Sequence, residues 1–205
     1  MRIAIIGAGN VGSTLGRAWQ RRGHEITYGV RNPDDNKYAA LDAPVTDNAA
    51  AAARADVVAV CTPWSATEEA VVTCGNLIGK VLIDCTNPLT PDFAALELGH
   101  ATSGAEQIAA WAPGARVCKA MNQIGAPMMD APALPSTPVM FVCGDDADAK
   151  DVAAQLVREL GFETLDAGDL TAARLLEPLA LLWIHMALRR GLGTGWALGV
   201  LRSDH

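Results

Sequence analysis

The clearest chemistry in this sequence lies in three glycines at one spacing and an arginine about 20 residues beyond them. The stretch GAGNVG places Gly7, Gly9 and Gly12 in a GxGxxG pattern directly after the apolar run IAII. Where that pattern joins a strand to a helix, the first glycine permits a tight turn. The second lets the backbone approach a pyrophosphate, and the third lets helix and strand pack closely. The free N–H groups at the helix start, with Asn10 and Val11 in the turn, and the positive end of the helix dipole then hold phosphate.

The stretch GVRNP at 29–33 stands where an NAD protein usually places a carboxylate for the ribose 2′-hydroxyl. Val30, Arg31 and Asn32 occupy that place instead. A guanidinium pairs with a 2′-phosphate that a carboxylate would repel, and Lys37 adds a second positive charge. NADP(H) is therefore predicted over NAD(H). Asp34 and Asp35 are close enough in sequence to be alternative partners for Arg31.

Further candidates cluster where apolar runs end. Thr62 and Pro63 in CTPWSATEE are placed to pass beside the middle of the cofactor, with Trp64 suited either to walling the site or to packing the loop. DCTNP and KAMNQ bring Asn87 and Asn122 to one edge, where side-chain amides can bond a carboxamide or a ribose or simply cap a loop. Lys119 is unusual in a strand expected to be central; it either neutralises an acidic ligand or snorkels to the strand end. His185 is a candidate acid, with a buried, hydrogen-bonded structural role the commoner reading. Neither a Ser/His/Asp set, a metal-ligand cluster nor a carboxylate pair stands out.

These residues need a frame that delivers them to one edge. Strand-like runs at 3–7, 24–30, 56–62, 81–86, 116–122, 139–144 and 163–168 alternate with helical stretches. Several of the runs are continuously apolar, as in a parallel sheet covered on both faces. The pattern predicts an α/β fold: a Rossmann-type, doubly wound, mostly parallel sheet with a small helical C-terminal extension. Residues 1–168 would form the dinucleotide-binding domain, and residues 169–205 a helix and glycine-rich loop that complete the substrate cleft and a dimer contact. Ser65-x-x-Glu68 and Ser103-x-x-Glu106 read as capping boxes. The alanine tract at 49–55 reads as helix and 128–138 as a Pro-rich surface loop.

Composition narrows the partners. A formal charge of −7 disfavours nucleic acid and anionic membranes. Only four apolar residues follow Met1-Arg2 before glycine, unlike a signal peptide. The apolar run at 179–188 is too short to span a bilayer and contains His185. Five scattered cysteines without a CxxC pair suit buried thiols in a cytoplasmic protein. The C-terminal helix is apolar on nearly all sides, which predicts burial against the core and a second subunit. Arg189, Arg190 and Gly191 form its expected end.

GAGNVGSTLGRAW, GHEITYGVRNP, TPWSATEEAV, LIDCTNPL, KAMNQIGA and LEPLALLWIHMALRRGLGTGWAL together resemble the NADPH:deazaflavin oxidoreductase family, which acts on coenzyme F420 and includes the cytoplasmic domain of the STEAP metalloreductases. The resemblance runs from about residue 1 to 201. It implies a Rossmann sheet, a homodimer and direct hydride transfer from NADPH to a planar acceptor such as coenzyme F420, FMN or FAD. It also implies that Arg31 meets the 2′-phosphate, and that Pro63, Asn87, Ala120 and the C-terminal glycine loop border the nicotinamide and second substrate. The family usually has threonine and serine where this chain has Ala8 and Val30, so two phosphate-contacting hydroxyls are missing and the cofactor reading rests on Arg31. Alternative readings are an imine or carbonyl reductase, with His185 or Lys119 as proton donor, and a non-catalytic NADPH-binding sensor or partner protein.

Overall fold

A computed structural model describes residues 1–203. The chain alternates strand and helix from its first residues: β1 (Arg2–Ile6), α1 (Asn10–Arg21), β2 (Glu25–Gly29), β3 (Val45–Thr46), α2 (Asn48–Arg54), β4 (Val57–Val60), α3 (Thr67–Val72), β5 (Val81–Asp84), α4 (Gly104–Trp111), β6 (Arg116–Lys119), β7 (Val139–Gly144), α5 (Ala147–Glu159), β8 (Glu163–Asp166) and α6 (Ala173–Ile184). The strands form one eight-stranded sheet in the order β3-β2-β1-β4-β5-β6-β7-β8. Every pairing is parallel except β6 with β7.

The sheet is buried on both faces because its strands are apolar on both. Ile3 and Ile5 pack on one side with Leu15 and Trp19 of α1 and Leu156 of α5. Ala4 and Ile6 pack on the other with Ala51 of α2, Val71 of α3, Ile108 of α4 and Leu176 of α6. The Trp19 indole N–H donates to the Leu156 carbonyl at 3.0 Å, which joins α1 to α5 across the first face. Chain order runs outward from β1 in both directions, through β2 to β3 and through β4 to β5, so the winding reverses between β1 and β4. Ligands of open sheets bind in the crevice at such a reversal.

Several strand ends differ from the sequence reading. The pairings stop at Ile6, Gly29, Val60, Asp84 and Lys119, so Gly7, Val30, Thr62, Thr86 and Asn122 lie in the turns that follow. The two-residue β3 is too short to leave a periodic signal. Ser103 does cap α4, accepting from the Glu106 N–H, but Ser65 lies inside a single 3₁₀ turn (Trp64–Ala66) and caps nothing. The extra turn displaces the start of α3 to Thr67.

The C-terminal helix is longer than the apolar run within it. A 3₁₀ turn (Leu170–Ala172) leads into α6, and a π-helical segment (His185–Arg189) continues it. This 20-residue stretch has the length and composition of a membrane span. Ala173, Leu176, Glu177, Ala180, Trp183 and Ala187 are buried against the same chain, whereas Leu175, Leu182 and Leu188 are exposed. One stripe of the helix is thus covered, Leu175 and Leu182 share an open face, and Leu188 is exposed near the helix end.

Candidate functional site

At the winding reversal, β1 and β4 end side by side. The Gly7 N–H donates to Gly29, and the Cys61 N–H to Ile6, at 2.9 and 2.8 Å. Gly7 has φ of +95°, which an L side chain rarely adopts, and a Cβ there would meet the Thr62 methyl at 2.9 Å. A Cβ on Gly12 would lie 1.9 Å from the Gly7 carbonyl oxygen, so any larger residue would push α1 off the turn. Gly9 occupies the N-cap of α1 with no side-chain cap bond, and no acidic residue stands in the first turn. An N-terminus left uncapped in this way presents N–H donors and a partial positive charge to an anion.

A cleft of about 610 Å³ opens from this turn, within the range of small-molecule sites. Gly7 and Thr62 line it at the turn; Arg31, Asn32 and Lys37 line it beyond β2; Asn48 of α2, Glu69 of α3 and Thr73 just after α3 line it as well. Of the predicted cofactor residues, Gly7, Arg31, Asn32, Lys37 and Thr62 are brought together here. Gly9, Asn10, Val11, Gly12, Pro63, Asn87 and Ala120 are not in the cleft lining. Gly9 and Asn10 are exposed at the mouth of the turn, and Ala120 is fully buried. Val30 is buried as well, contributing no polar group.

Both cations in the cleft have carboxylate partners. The Arg31 guanidinium meets Glu69 of α3 at 2.6 Å, rather than Asp34 or Asp35, and both side chains are more than half exposed. Lys37 pairs with Asp35 at 2.8 Å and lies over the Tyr38 ring, 4.8 Å from its centre. The hydrogen bond from Lys37 holds the Asp35 carboxyl below its usual range. Asp47 caps α2, accepting from the Ala50 N–H at 2.7 Å. Asn48 and Glu69 were missed in the sequence because each sits in the first turn of a short helix, where Asn and Glu are expected for helix reasons alone.

The asparagines at the next two strand ends are brought together but bond one another. Asn87 donates to the Asn122 carbonyl at 2.9 Å, and Asn122 donates to the Asn87 side-chain oxygen at 3.0 Å. Asn122 also donates to Leu176 of α6 and accepts from Gln123. Met121, at φ of +61°, turns the chain after β6 so that Asn122 can face back toward Asn87. The pair braces the strand ends against α6 rather than presenting free amides.

Lys119 neither reaches a ligand nor snorkels. Its register partner Asp84 receives the ammonium at 2.6 Å and Glu177 of α6 receives it at 2.9 Å, with all three side chains at most 1% exposed. The Thr86 carbonyl accepts the ammonium too, at 2.9 Å. Burial alone would push Lys119 down, but the two carboxylates outweigh it and hold the ammonium above its usual value. Glu177 also accepts from the Gly104 and Ala105 N–H groups at the start of α4. Burial pushes its carboxyl up and Lys119 draws it back down.

His185 is exposed, opposite to the buried role expected, and lies outside the cleft lining. Trp64 packs at a tilt against Trp111 with ring centres 5.5 Å apart, and lies outside the cleft lining. The C-terminal glycine loop is pinned by Trp196 stacked on Trp183 at 5.4 Å, and by the Val139 N–H donating to Leu198. The five cysteines are free and buried, and among the described residues no group of three metal-binding side chains converges.

The family model for coenzyme F420-dependent NADP oxidoreductases matches residues 2–88. A crystal structure from Arthrobacter sp. FB24, described as a candidate F420-dependent NADP reductase, superposes with a TM-score of 0.90 at 32% identity, covering 98% of this chain and 100% of that one. The F420-dependent NADP reductase of Methanothermobacter thermautotrophicus is 29% identical over 92% of this chain and 90% of its own length. Metalloreductase STEAP3 of Rattus norvegicus is 30% identical over 88% of this chain, which spans only 36% of that protein.

Proposed function

The chain belongs to the coenzyme F420-dependent NADP oxidoreductase family, and from that premise we propose that it is an NADP(H)-dependent oxidoreductase that passes hydride directly to or from a planar acceptor. One observation carries the cofactor half: an uncapped α1 N-terminus follows a turn in which Gly7 and Gly12 leave no room for a Cβ, and Gly7 of that turn lines the cleft that holds Arg31 and Lys37. That arrangement fits a dinucleotide whose adenosine ribose carries the diphosphate at its 5′ position and a phosphate at its 2′ position. The diphosphate would take the N–H groups of Asn10, Val11 and Gly12. Arg31 would take the 2′-phosphate, assisted by Lys37 and Asn32.

NADPH, when bound, supplies the hydride. The protein's part is to hold the reactants in reacting geometry, which is worth about 7–11 kcal/mol. Thr62 and Pro63 would pass beside the cofactor's middle, and Asn87 and the glycine loop at 191–195 would border the acceptor, whereas Ala120 is too deeply buried to reach it. Asn87 and Asn122 hold that edge by bonding each other, and Lys119 with Glu177 fixes α6 to it. A carbonyl or imine reductase needs a proton donor at the substrate. Lys119 is sealed in ion pairs, which favours an acceptor that takes hydride without a proton from it.

We further propose that residues 1–168 bind the dinucleotide while 169–205 complete the acceptor site, and that the protein is a cytoplasmic homodimer. The exposed Leu175 and Leu182, seven residues apart on one open face, support the dimer, and the free thiols support the compartment.

The test is anaerobic NADPH oxidation followed by absorbance with coenzyme F420, FMN, FAD and a panel of ketones and imines. Turnover with one of the first three, and none with the panel, is expected. Tight NADPH binding with no turnover on any acceptor would assign a sensor or partner role instead.

A further inference from the structure

Arg31 is the group on which the choice of cofactor turns, yet it faces a carboxylate. Glu69 reaches it at 2.6 Å from a different element, 38 residues away in sequence. Both residues line the cleft, Arg31 after β2 and Glu69 in the first turn of α3, so their bond spans the space that a 2′-phosphate would enter. The other cation, Lys37, is paired locally with Asp35. Asp47 is committed to its own helix cap. Glu69 is thus the carboxylate whose only side-chain hydrogen bond among the described residues crosses the cleft.

We propose that Glu69 sets the strength of the preference for a 2′-phosphorylated dinucleotide, acting as an internal competitor for Arg31. This rests on Arg31 being the 2′-phosphate ligand. A phosphate arriving at Arg31 displaces Glu69 and then stands near its charge, so Glu69 weakens binding twice, by holding the guanidinium and by repelling the dianion. A dinucleotide with a free 2′-hydroxyl displaces nothing and feels no such repulsion. Glu69 lowers affinity for NADP(H) selectively and narrows the gap to NAD(H). Because both side chains are more than half exposed, the effect is modest and salt-sensitive.

The experiment is a binding measurement, by calorimetry, of NADP⁺ and NAD⁺ to wild type, Glu69→Gln, Arg31→Ala and the double variant at low and high salt. Glu69→Gln is expected to tighten NADP⁺ by about 3- to 10-fold at low salt and to change NAD⁺ by less than about twofold. The gain should shrink in high salt and disappear when Arg31 is absent. NADP⁺ affinity that is unchanged or weakened in Glu69→Gln, while Arg31→Ala still loses NADP⁺ selectively, overturns the competition and leaves the Arg31 assignment standing. Equal losses of both dinucleotides in Arg31→Ala overturn the assignment and the competition together. Glu69 is exposed and caps nothing, so the fold is not at risk; the circular dichroism spectrum of Glu69→Gln should match wild type.

Discussion

Replacing Lys119 by Met should be among the most damaging single changes in the protein, though Lys119 touches no ligand. The substitution keeps the side-chain length and removes the one positive charge between Asp84 and Glu177, which lie 2.6 and 2.9 Å from it. Both carboxylates are essentially inaccessible to water, so neither can be rescued by solvent. Breaking a buried ion pair from one side costs about 3–5 kcal/mol. That is at least about a fifth of the stability of an ordinary domain, ~5–15 kcal/mol. At this chain length each kcal/mol moves the melting temperature by about 2–4 °C, so a fall of roughly 6–20 °C is expected. The loss should also depend on pH. Burial already pushes Glu177 up, and without Lys119 its folded pKa lies further above the unfolded value. A carboxyl with a raised folded pKa is least destabilising below the unfolded pKa and becomes costly as pH rises through the folded one. The variant should therefore be closer to wild type at about pH 5 than at about pH 8. Adding Glu177→Gln to Lys119→Met should recover part of the loss. Urea unfolding at both pH values measures all of this. A loss under about 1 kcal/mol, or a deficit equal at both pH values, would refute the view that the triad needs its cation.

Removal of the Arg31 guanidinium should weaken NADPH by about 10- to 100-fold and leave NADH almost unchanged, read by fluorescence titration. Gly12→Ala should abolish dinucleotide binding, because the new methyl would overlap the Gly7 carbonyl; retained binding by calorimetry would contradict the phosphate turn. Gly195→Val, at a position with open space around it, should lower turnover while leaving NADPH affinity nearly intact. Burial pushes the thiols of Cys74 and Cys118 up to about 12 and that of Cys143 to about 11, so these thiols should resist a thiol reagent at neutral pH until the protein is unfolded. Light scattering at micromolar concentration should report a dimer, and Leu182→Glu on the open stripe of α6 should shift it to monomer.

Local chemistry made the fold and half of the site legible in the sequence. Continuous apolar runs mean strands covered on both faces, and the glycines at 7 and 12 mean a turn that nothing bulkier can make. Arg31 marks the ribose end by chain distance alone, since one βα unit of nearly constant length separates it from the turn. Side-chain pairing across elements was not legible. A lysine at 119 looks like a ligand-seeking charge until β5 and β6 are set in register and α6 is laid over them, which supplies both of its carboxylates. Asn87 and Asn122 look like free amides until the strand ends bring them within 3.0 Å. Glu69 carries no signal at all, because a glutamate in the first turn of a helix is ordinary; only the position of α3 across the cleft makes it the partner of Arg31. Backbone geometry follows from what each residue tolerates, which is written locally. Electrostatic partnership depends on distances of a few ångströms between residues 35 to 58 positions apart, and only the folded packing sets those.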